Sequence, residues 1–516
     1  MSIVRQRVDE VFAGAARDAA DAVHLLFADG RRASYAETYG RAARLAGALA
    51  AAGVARGDIV AGFMRNSREL IEFYVACGIA GVIGGAINGM STAREVDRIF
   101  ADCTPSAIVA EARFLDRVPP GQLLDAMRLR IVTHAPAPPP GWHAYDALIA
   151  TAPALAAAPE ATPEEPAMMI YSSGTTGAPK GILLSHGALV QNAAMTLDVL
   201  RNTAADRYMT ILPLFSSFGH SFDFLQVGLL RASLVILEQF DERRAVELID
   251  RYRVTFMAGV PTMMARMFDR ANIGDRDITS LRLLDVGGGP VSPRLKQMLR
   301  QEYGIDVVES YGLTEISPVA SVQAPGRDNP LGSCGLPLPG IEVRVINLDG
   351  EPARPGEAGE LQFRGPTAML RYWNQPQLTA ETLTDGWLRS GDVGKVDEQG
   401  HIHILDRTKD MIVSNGFNVF PKDVENAVAE LPEVQSVAVV GVPDEIVGEK
   451  IHAFVVTRPG RSLSQAQVAE HCRRSLSAYK RPESVHFIDA MPLTASGKIL
   501  RVRLREMLGR DGENRP

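Results

Sequence analysis

A short apolar strand, Ala167–Tyr171, runs without a break into Ser172-Ser173-Gly174-Thr175-Thr176-Gly177-Ala178-Pro179-Lys180-Gly181. This junction constrains the chain more than any other feature. The glycines free the backbone to curl and turn N–H groups inward. Two serines, two threonines and Lys180 add hydroxyl donors and a charge, so the loop is built as a phosphate cradle. A flexible surface loop is the plain alternative for a Gly/Ser/Thr cluster. The density of donors beside a lysine at a strand end favours the cradle. The pattern GxxxxGK[ST] is absent, because Gly181 follows Lys180, and this disfavours P-loop chemistry.

Around the loop, short apolar runs (Ile59–Met64, Ala107–Ala110, Ile131–Thr133) alternate with helical patterns. That alternation predicts βαβ units and a largely parallel sheet, hence an α/β fold. Ser34-Tyr35-Ala36-Glu37 reads as a capping box opening a helix that runs to Gly53. Tyr74–Ile87 is apolar but Gly-bearing and shorter than a membrane span, so it reads as a buried helix and strand. From about Val343 the texture changes to short alternating strands and Gly turns, as in Glu360–Gly365 and His401–Ile404. Beyond Asp406 the pattern is a small α+β unit, with strands at Ser436–Val440 and His452–Val456 and a helix at Ser464–Leu476.

At 516 residues the chain exceeds a single hydrophobic core. The expected division is a large domain over 1–406, a hinge at 407–410 and a small domain over 411–516. A net charge of −7 gives no case for nucleic acid or an anionic membrane as partner. Cys77, Cys103, Cys334 and Cys472 form no CxxC pair, so neither zinc site nor disulfide framework is suggested, and a reducing cytoplasm fits. The N-terminus carries acidic residues and no long apolar stretch, unlike a signal peptide.

Five further motifs carry chemistry. Tyr311-Gly312-Leu313-Thr314-Glu315 offers a flat ring, a hydroxyl and a carboxylate suited to Mg²⁺; a Glu in a loop is usually only solvated. Leu284-Asp285-Val286-Gly287-Gly288-Gly289-Pro290 is a strand ending in glycines, either a tight turn before a helix starting near Pro290 or a place where a ligand meets backbone. Ser390-Gly391-Asp392 ends a strand with a carboxylate that could accept from two ribose hydroxyls. Asp406-Arg407-Thr408-Lys409-Asp410 has the look of a linker, and Lys498 sits on a Gly-bearing loop where a solvated charge is the plain alternative.

In chain order these motifs resemble the adenylate-forming enzymes: acyl-CoA synthetases, luciferases and adenylation domains. The resemblance covers nearly the whole chain, most firmly Tyr171 to Lys498, and is closest to acyl-CoA ligases. It implies a large N-terminal α/β domain of stacked sheets with a distorted barrel, and a small mobile α+β lid. It implies ATP-dependent activation of a carboxylic acid to an acyl-adenylate, then a thioester with CoA, with ATP, Mg²⁺ and CoA required. By resemblance Ser172, Ser173, Gly174, Thr175, Thr176, Gly177 and Lys180 hold phosphate. Gly288, Gly289, Ser310, Tyr311, Gly312 and Thr314 border the nucleotide, Asp392 takes the ribose with help from Arg407, and Glu315 holds the metal. Thr175, Lys180, Glu315 and Lys498 act in catalysis, with Lys498 bridging carboxylate and α-phosphate. Lys409 matches the family's pivot, and Ser414, Asn415, Gly416 and Phe417 line the pantetheine tunnel. Phe215, Ser216, Phe218 and Gly287 fall beside the acyl group.

One position departs from the pattern. Many acyl-CoA synthetases have His where this chain has Ser216, so the acyl pocket is expected to be larger there or to carry a polar contact; drift at a packing position is the alternative. The position that holds an α-amine in amino-acid-activating relatives is matched by Gly219, and Asp223 lies four residues away. A fatty or other hydrophobic acid is therefore favoured. One rival keeps adenylation but loads a separate acyl or peptidyl carrier protein. A non-catalytic nucleotide-binding protein is the other, and it would be marked by loss of Glu315, Asp392 or Lys498, all of which are present.

Overall fold

The computed structural model describes residues 5–156, 161–173, 179–289, 291–347, 349–407, 410–414, 417–444, 447–493 and 499–512; of these, 172, 173, 179, 406, 407, 413, 417, 418 and 509–512 are described in backbone only. The chain divides into two compact units, one of residues 1–342 and 363–388, the other of 343–362 and 389–516. Thr408 and Lys409, at the centre of the expected hinge, lie outside the described residues.

The large unit is mixed α/β and holds two sheets. In the nine-stranded sheet, Asp306–Gly312, Leu283–Gly287, Phe256–Gly259, Arg207–Met209, Ser233–Ile236 and Val23–Phe27 lie side by side and parallel. Antiparallel strands close both edges: Val319–Val322 and Leu336–Pro337 at one, Arg32–Ser34 at the other. The eight-stranded sheet is parallel from Pro166–Ser173 through Ile83–Ala86, Ile59–Phe63, Ala107–Glu111 and Leu129–Thr133 to His143–Ala144. Pro179–Ser185 and Arg371–Tyr372 then pair antiparallel at its other edge. The alternation in sequence reflects the parallel crossovers.

Local signals explain several elements. Ser34 caps helix Tyr35–Ala51 by accepting from the Glu37 N–H at 3.1 Å, while the Glu37 carboxylate accepts from the Ser34 N–H at 3.3 Å. The run from Leu70 to Ile79 is buried without interruption in helix Arg68–Ala80, which ends at Gly81 in the left-handed region and leads into Ile83–Ala86. The helix after the triple glycine starts at Pro293 rather than near Pro290, because Pro293 takes the first helical turn, where its missing N–H costs nothing. No described helix is long and apolar enough to cross a membrane.

In the second unit, Val434–Asp444 and Gly448–Thr457 form a long antiparallel pair, flanked by Ile412–Ser414, Phe417–Val419 and Ser484–Phe487. Helices Pro421–Ala429 and Gln465–Ser475 cover one face over a core that includes Val424, Val428, Val439, Ile451, Val455, Val468 and Cys472.

Candidate active site

Strand Pro179–Ser185 carries Lys180 out of the Gly/Ser/Thr loop, in register with Ser172 of the preceding strand. Across its outer edge lies the two-residue strand Arg371–Tyr372, with Tyr372 opposite Ile182. The ammonium of Lys180 stands 5.7 Å from the centroid of the Tyr372 ring, a cation–π distance. The Tyr372 hydroxyl donates to Glu315 Oε1 at 2.8 Å, and Met369 N–H donates to the Glu315 carbonyl at 2.7 Å. Burial and the neighbouring Glu315 hold the Tyr372 phenol above its ordinary range, so it serves as a donor. Lys180 and Glu315, 135 positions apart in sequence, are thus brought to one ring. Tyr372 has no local sequence signal; only its pairing at the sheet edge reveals it.

The Thr314 and Ser217 hydroxyls lie 3.1 Å apart, joining the Tyr311–Glu315 turn to the Pro213–His220 segment. Gly312 cannot carry a side chain, since a Cβ there would stand 1.9 Å from the Pro318 carbonyl oxygen. Tyr311 lies 5.8 Å from the Phe363 ring, at 38°. Gly287 sits opposite Ser310 in the parallel register, and a Cβ on it would come within 3.0 Å of both the Phe218 ring and Ser310 Oγ. Phe218 meets Phe222 edge-on at 4.9 Å, and Phe222 stacks over Phe256 at 6.3 Å. Gly288 has φ 80°, and a Cβ at Gly289 would touch Pro261 at 3.4 Å. Glu309, on the opposite face from Ser310, accepts from Val291 N–H at 3.1 Å and pairs with Lys296 at 2.6 Å, which fixes the exit of the glycine turn.

Ser216 spends its hydroxyl on backbone. It donates to the Pro213 carbonyl at 2.7 Å and accepts from Gly219 N–H at 3.2 Å, capping the helical run that continues as a π-helix over His220–Gln226. Phe215 beside it is half-buried.

In the second unit Asp392 is buried, with its N–H held by the Ser390 hydroxyl at 3.0 Å, and it lies opposite Arg407 in an antiparallel pair. Ser414 is buried at the end of Ile412–Ser414 and pairs with Phe417 and Gly448. Gly174, Thr175, Thr176, Gly177, Lys409, Asn415, Gly416 and Lys498 lie outside the described residues, and of Ser172, Ser173, Arg407 and Phe417 only the backbone is described.

For Mg²⁺, the donor set is one half-buried carboxylate, Glu315, with one oxygen on Tyr372. No group of three or more His, Cys, Asp or Glu among the described residues could hold a metal. One carboxylate fits Mg²⁺, which keeps several waters and takes most of its other ligands from substrate phosphates.

The chain matches the AMP-binding enzyme family over residues 12–373 and the AMP-binding enzyme C-terminal domain over 423–498. It is 36% identical to an indoleacetate–CoA ligase of Aromatoleum aromaticum, covering 93% of this chain and 94% of that one. It is 34% identical to the fatty acid–[acyl-carrier-protein] ligase ScoC of Streptomyces coeruleorubidus, covering 93% and 92%. The crystal structure of the anthranilate CoA ligase AuaEII with anthranoyl-AMP superposes with a TM-score of 0.91 at 27% identity, covering 99% of both chains. With the motifs in this order on this fold, the chain belongs to the AMP-binding enzyme family and is an ATP-dependent acid–thiol ligase, forming an acyl-adenylate and then a CoA thioester.

Proposed function

We propose that the acid is hydrophobic and ring-bearing, and that it lies against Gly287 and Phe218. The observation that carries this is the half-buried Phe218 ring, which closes on the bare backbone of Gly287 and meets Phe222 edge-on. A flat ring gains most from such a setting. The relatives named for indoleacetate and anthranilate accord with it.

In the first half-reaction a carboxylate oxygen attacks the α-phosphorus of ATP, and the bond to pyrophosphate breaks. Lys180, the hydroxyls of Ser172, Ser173, Thr175 and Thr176, Thr314 and Lys498 supply the donors for the charge that develops there. The Tyr372 hydroxyl orients Glu315 toward the phosphates. Mg²⁺, when bound at Glu315, neutralises phosphate charge. Asp392 and Arg407 take the ribose, while Gly288, Gly289, Ser310, Tyr311 and Gly312 border the base. In the second half-reaction the CoA thiol attacks the acyl carbon and AMP leaves. Lys409 is then the pivot that exchanges Lys498 for the segment Ser414–Phe417 along the pantetheine. A cytoplasmic setting accords with four cysteines that form no disulfide. A carrier-protein acceptor is the second reading, favoured by the ScoC relative.

With MgATP, CoA and a suitable acid, AMP and pyrophosphate are expected. ADP and phosphate would overturn the adenylate route. Lys498→Ala is expected to slow adenylation by about 10²–10³-fold and to leave CoA attack on a supplied acyl-adenylate nearly intact; equal loss in both halves would remove Lys498 from this role. Rates of thioester formation with CoA and with a phosphopantetheinyl carrier protein separate the two acceptors.

A further inference from the structure

The strands that enter and leave the Gly/Ser/Thr loop meet in register at Tyr171 and Gly181. Both residues are tied to one group outside the pair. Helix Ala93–Cys103 ends beside them, and the last carbonyls of a helix have no partner within it. The Tyr171 hydroxyl donates to Asp102 Oδ2 at 2.6 Å. The Asp102 carbonyl accepts from Trp373 Nε1 at 3.2 Å and from Asn374 Nδ2 at 3.0 Å. The Trp373 N–H in turn donates to the Gly181 carbonyl at 2.7 Å. A Cβ on Gly181 would stand 3.1 Å from Trp373 Cβ and 3.3 Å from the Tyr171 ring, so bare backbone is wedged between these two side chains. Asn374 reaches Asp102 from φ 52°, a left-handed conformation that asparagine tolerates better than most residues. Burial, with Cys103 and Asp102 alongside, holds the Tyr171 phenol above its ordinary range, so it stays a donor. Each link of this circuit ends one residue from the proposed phosphate site: Gly181 follows Lys180, and Trp373 follows Tyr372, the partner of Glu315.

We propose that Asp102 is a positioning residue for adenylation. Its carboxylate and its carbonyl fasten the two strands at the mouth of the loop to each other and to segment 371–374. That sets where Lys180 and Glu315 stand relative to the phosphates of ATP. The inference rests on the reading of Lys180 and Glu315 as phosphate and metal groups. The ladder between Pro166–Ser173 and Pro179–Ser185 already pairs Tyr171 with Gly181, so the clamp is not needed to make that pair. What it adds is a hold on the third strand. Arg371–Tyr372 has two residues and little ladder of its own, and the Trp373 and Asn374 bonds to Asp102 anchor its end. A misplacement of about 1 Å at a reacting centre can cost on the order of 10²-fold in rate. CoA attack on a finished adenylate does not call on groups that hold pyrophosphate, so the clamp acts on the first half-reaction.

The test uses the full chain and an acid chosen by wild-type AMP release from indole-3-acetate, 3-phenylpropanoate and octanoate. Acid-dependent exchange of pyrophosphate into ATP reads the first half-reaction. CoA attack on the chemically prepared adenylate of that acid reads the second. Asp102→Ala and Tyr171→Phe each remove the carboxylate–hydroxyl bond. Both are expected to slow exchange by about 10- to 100-fold, to raise the KM for MgATP more than that for the acid, and to leave CoA attack largely intact. Asp102→Asn keeps an oxygen for Tyr171 and should recover most of the rate. The double variant should be no slower than Asp102→Ala, because one bond is lost in both. Trp373→Phe, which takes one donor from the Asp102 carbonyl, should act in the same direction more weakly. Equal loss in both half-reactions, or lower urea stability with both rates intact, would make Asp102 a structural residue and overturn the inference. Should Asp102→Ala fail to fold, Tyr171→Phe carries the same readings. Lys180→Ala separates the two readings: if it exchanges at the wild-type rate, the phosphate-site reading falls and this inference with it. If it is slow while Asp102→Ala is not, only the clamp falls.

Discussion

Glu72 and Asp285 are both wholly shut off from solvent in the large unit, yet the protein surrounds them differently. Glu72, on helix Arg68–Ala80, accepts from Arg41 Nε at 2.7 Å, Arg68 Nε at 2.6 Å and the Tyr145 hydroxyl at 2.7 Å. Asp285 has one serine. Glu72 ties together helices Tyr35–Ala51, Arg68–Ala80 and Tyr145–Thr151, and a buried charge with that task must be saturated, since a stray one is strongly destabilising. Asp285 lies on the face where the Phe218 ring and Ser310 Oγ close over Gly287. The contrast separates a buried carboxylate saturated by three donors from one held by a single serine.

Glu72→Leu breaks the saturated side of the comparison. It takes the shared carboxylate from Arg41 and Arg68, leaving Arg41 with Asp146 and Arg68 with Glu37, and should cost about 3–5 kcal/mol of stability in urea unfolding, with the order of preference among acids unchanged. A loss below about 1 kcal/mol would make Glu72 no more than a surface-like pair.

The unsaturated side is tested by pH. Asp285 titrates near 7 when folded and near 3.8 when unfolded. Between those values the native state holds the extra proton. Its contribution is therefore fully present below about pH 4 and is lost as pH rises through about 7, with a slope of up to about 1.4 kcal/mol per pH unit. Asp285→Asn should gain on wild type as pH is raised from 5.5 to 7.5. A difference that stays flat would show the carboxyl to be solvated or paired. His24 and His220, lowered by burial to about 3, act with the opposite sign, since stability is lost as pH falls below about 6.5. Both are present in each protein and cancel in the difference.

The smallest effect is at Ser216, whose hydroxyl serves backbone rather than substrate. Ser216→Ala should cost about 1 kcal/mol through the lost cap and move the acid profile little. A large shift in acid preference without a loss of stability would return Ser216 to the pocket wall.

Most of the architecture could be read from the chain because its signals are local. Ser34 and Glu37 cap a helix three residues apart, and the apolar runs at Ile59 and Ala107 are central parallel strands, buried on both faces. The nucleotide motifs were legible for the same reason, each being a contiguous stretch of unusual composition. Tyr372 was not, because an ordinary tyrosine acquires its role only through a register across some 190 residues. Asp285 stood inside a quoted motif but its burial and its half-met hydrogen bonding belong to the packed sheet, not to the spacing. Ser216 illustrates the converse. Its departure from the family pattern was visible, but the backbone groups that occupy its hydroxyl were not.

The pairing of Arg371–Tyr372 with Pro179–Ser185 also sets an order of events during synthesis. The strand bearing Lys180 leaves the ribosome long before its edge partner, at roughly 5–20 residues per second. Through that interval the Gly181 and Leu183 carbonyls, which later accept from Trp373 and Leu370 N–H, stand unpaired before any other extended chain nearby. Arrival of Tyr372 closes this edge and, in the same stroke, seats its hydroxyl on Glu315. The exposure of this edge therefore ends as the Tyr372–Glu315 contact forms, at a two-residue strand.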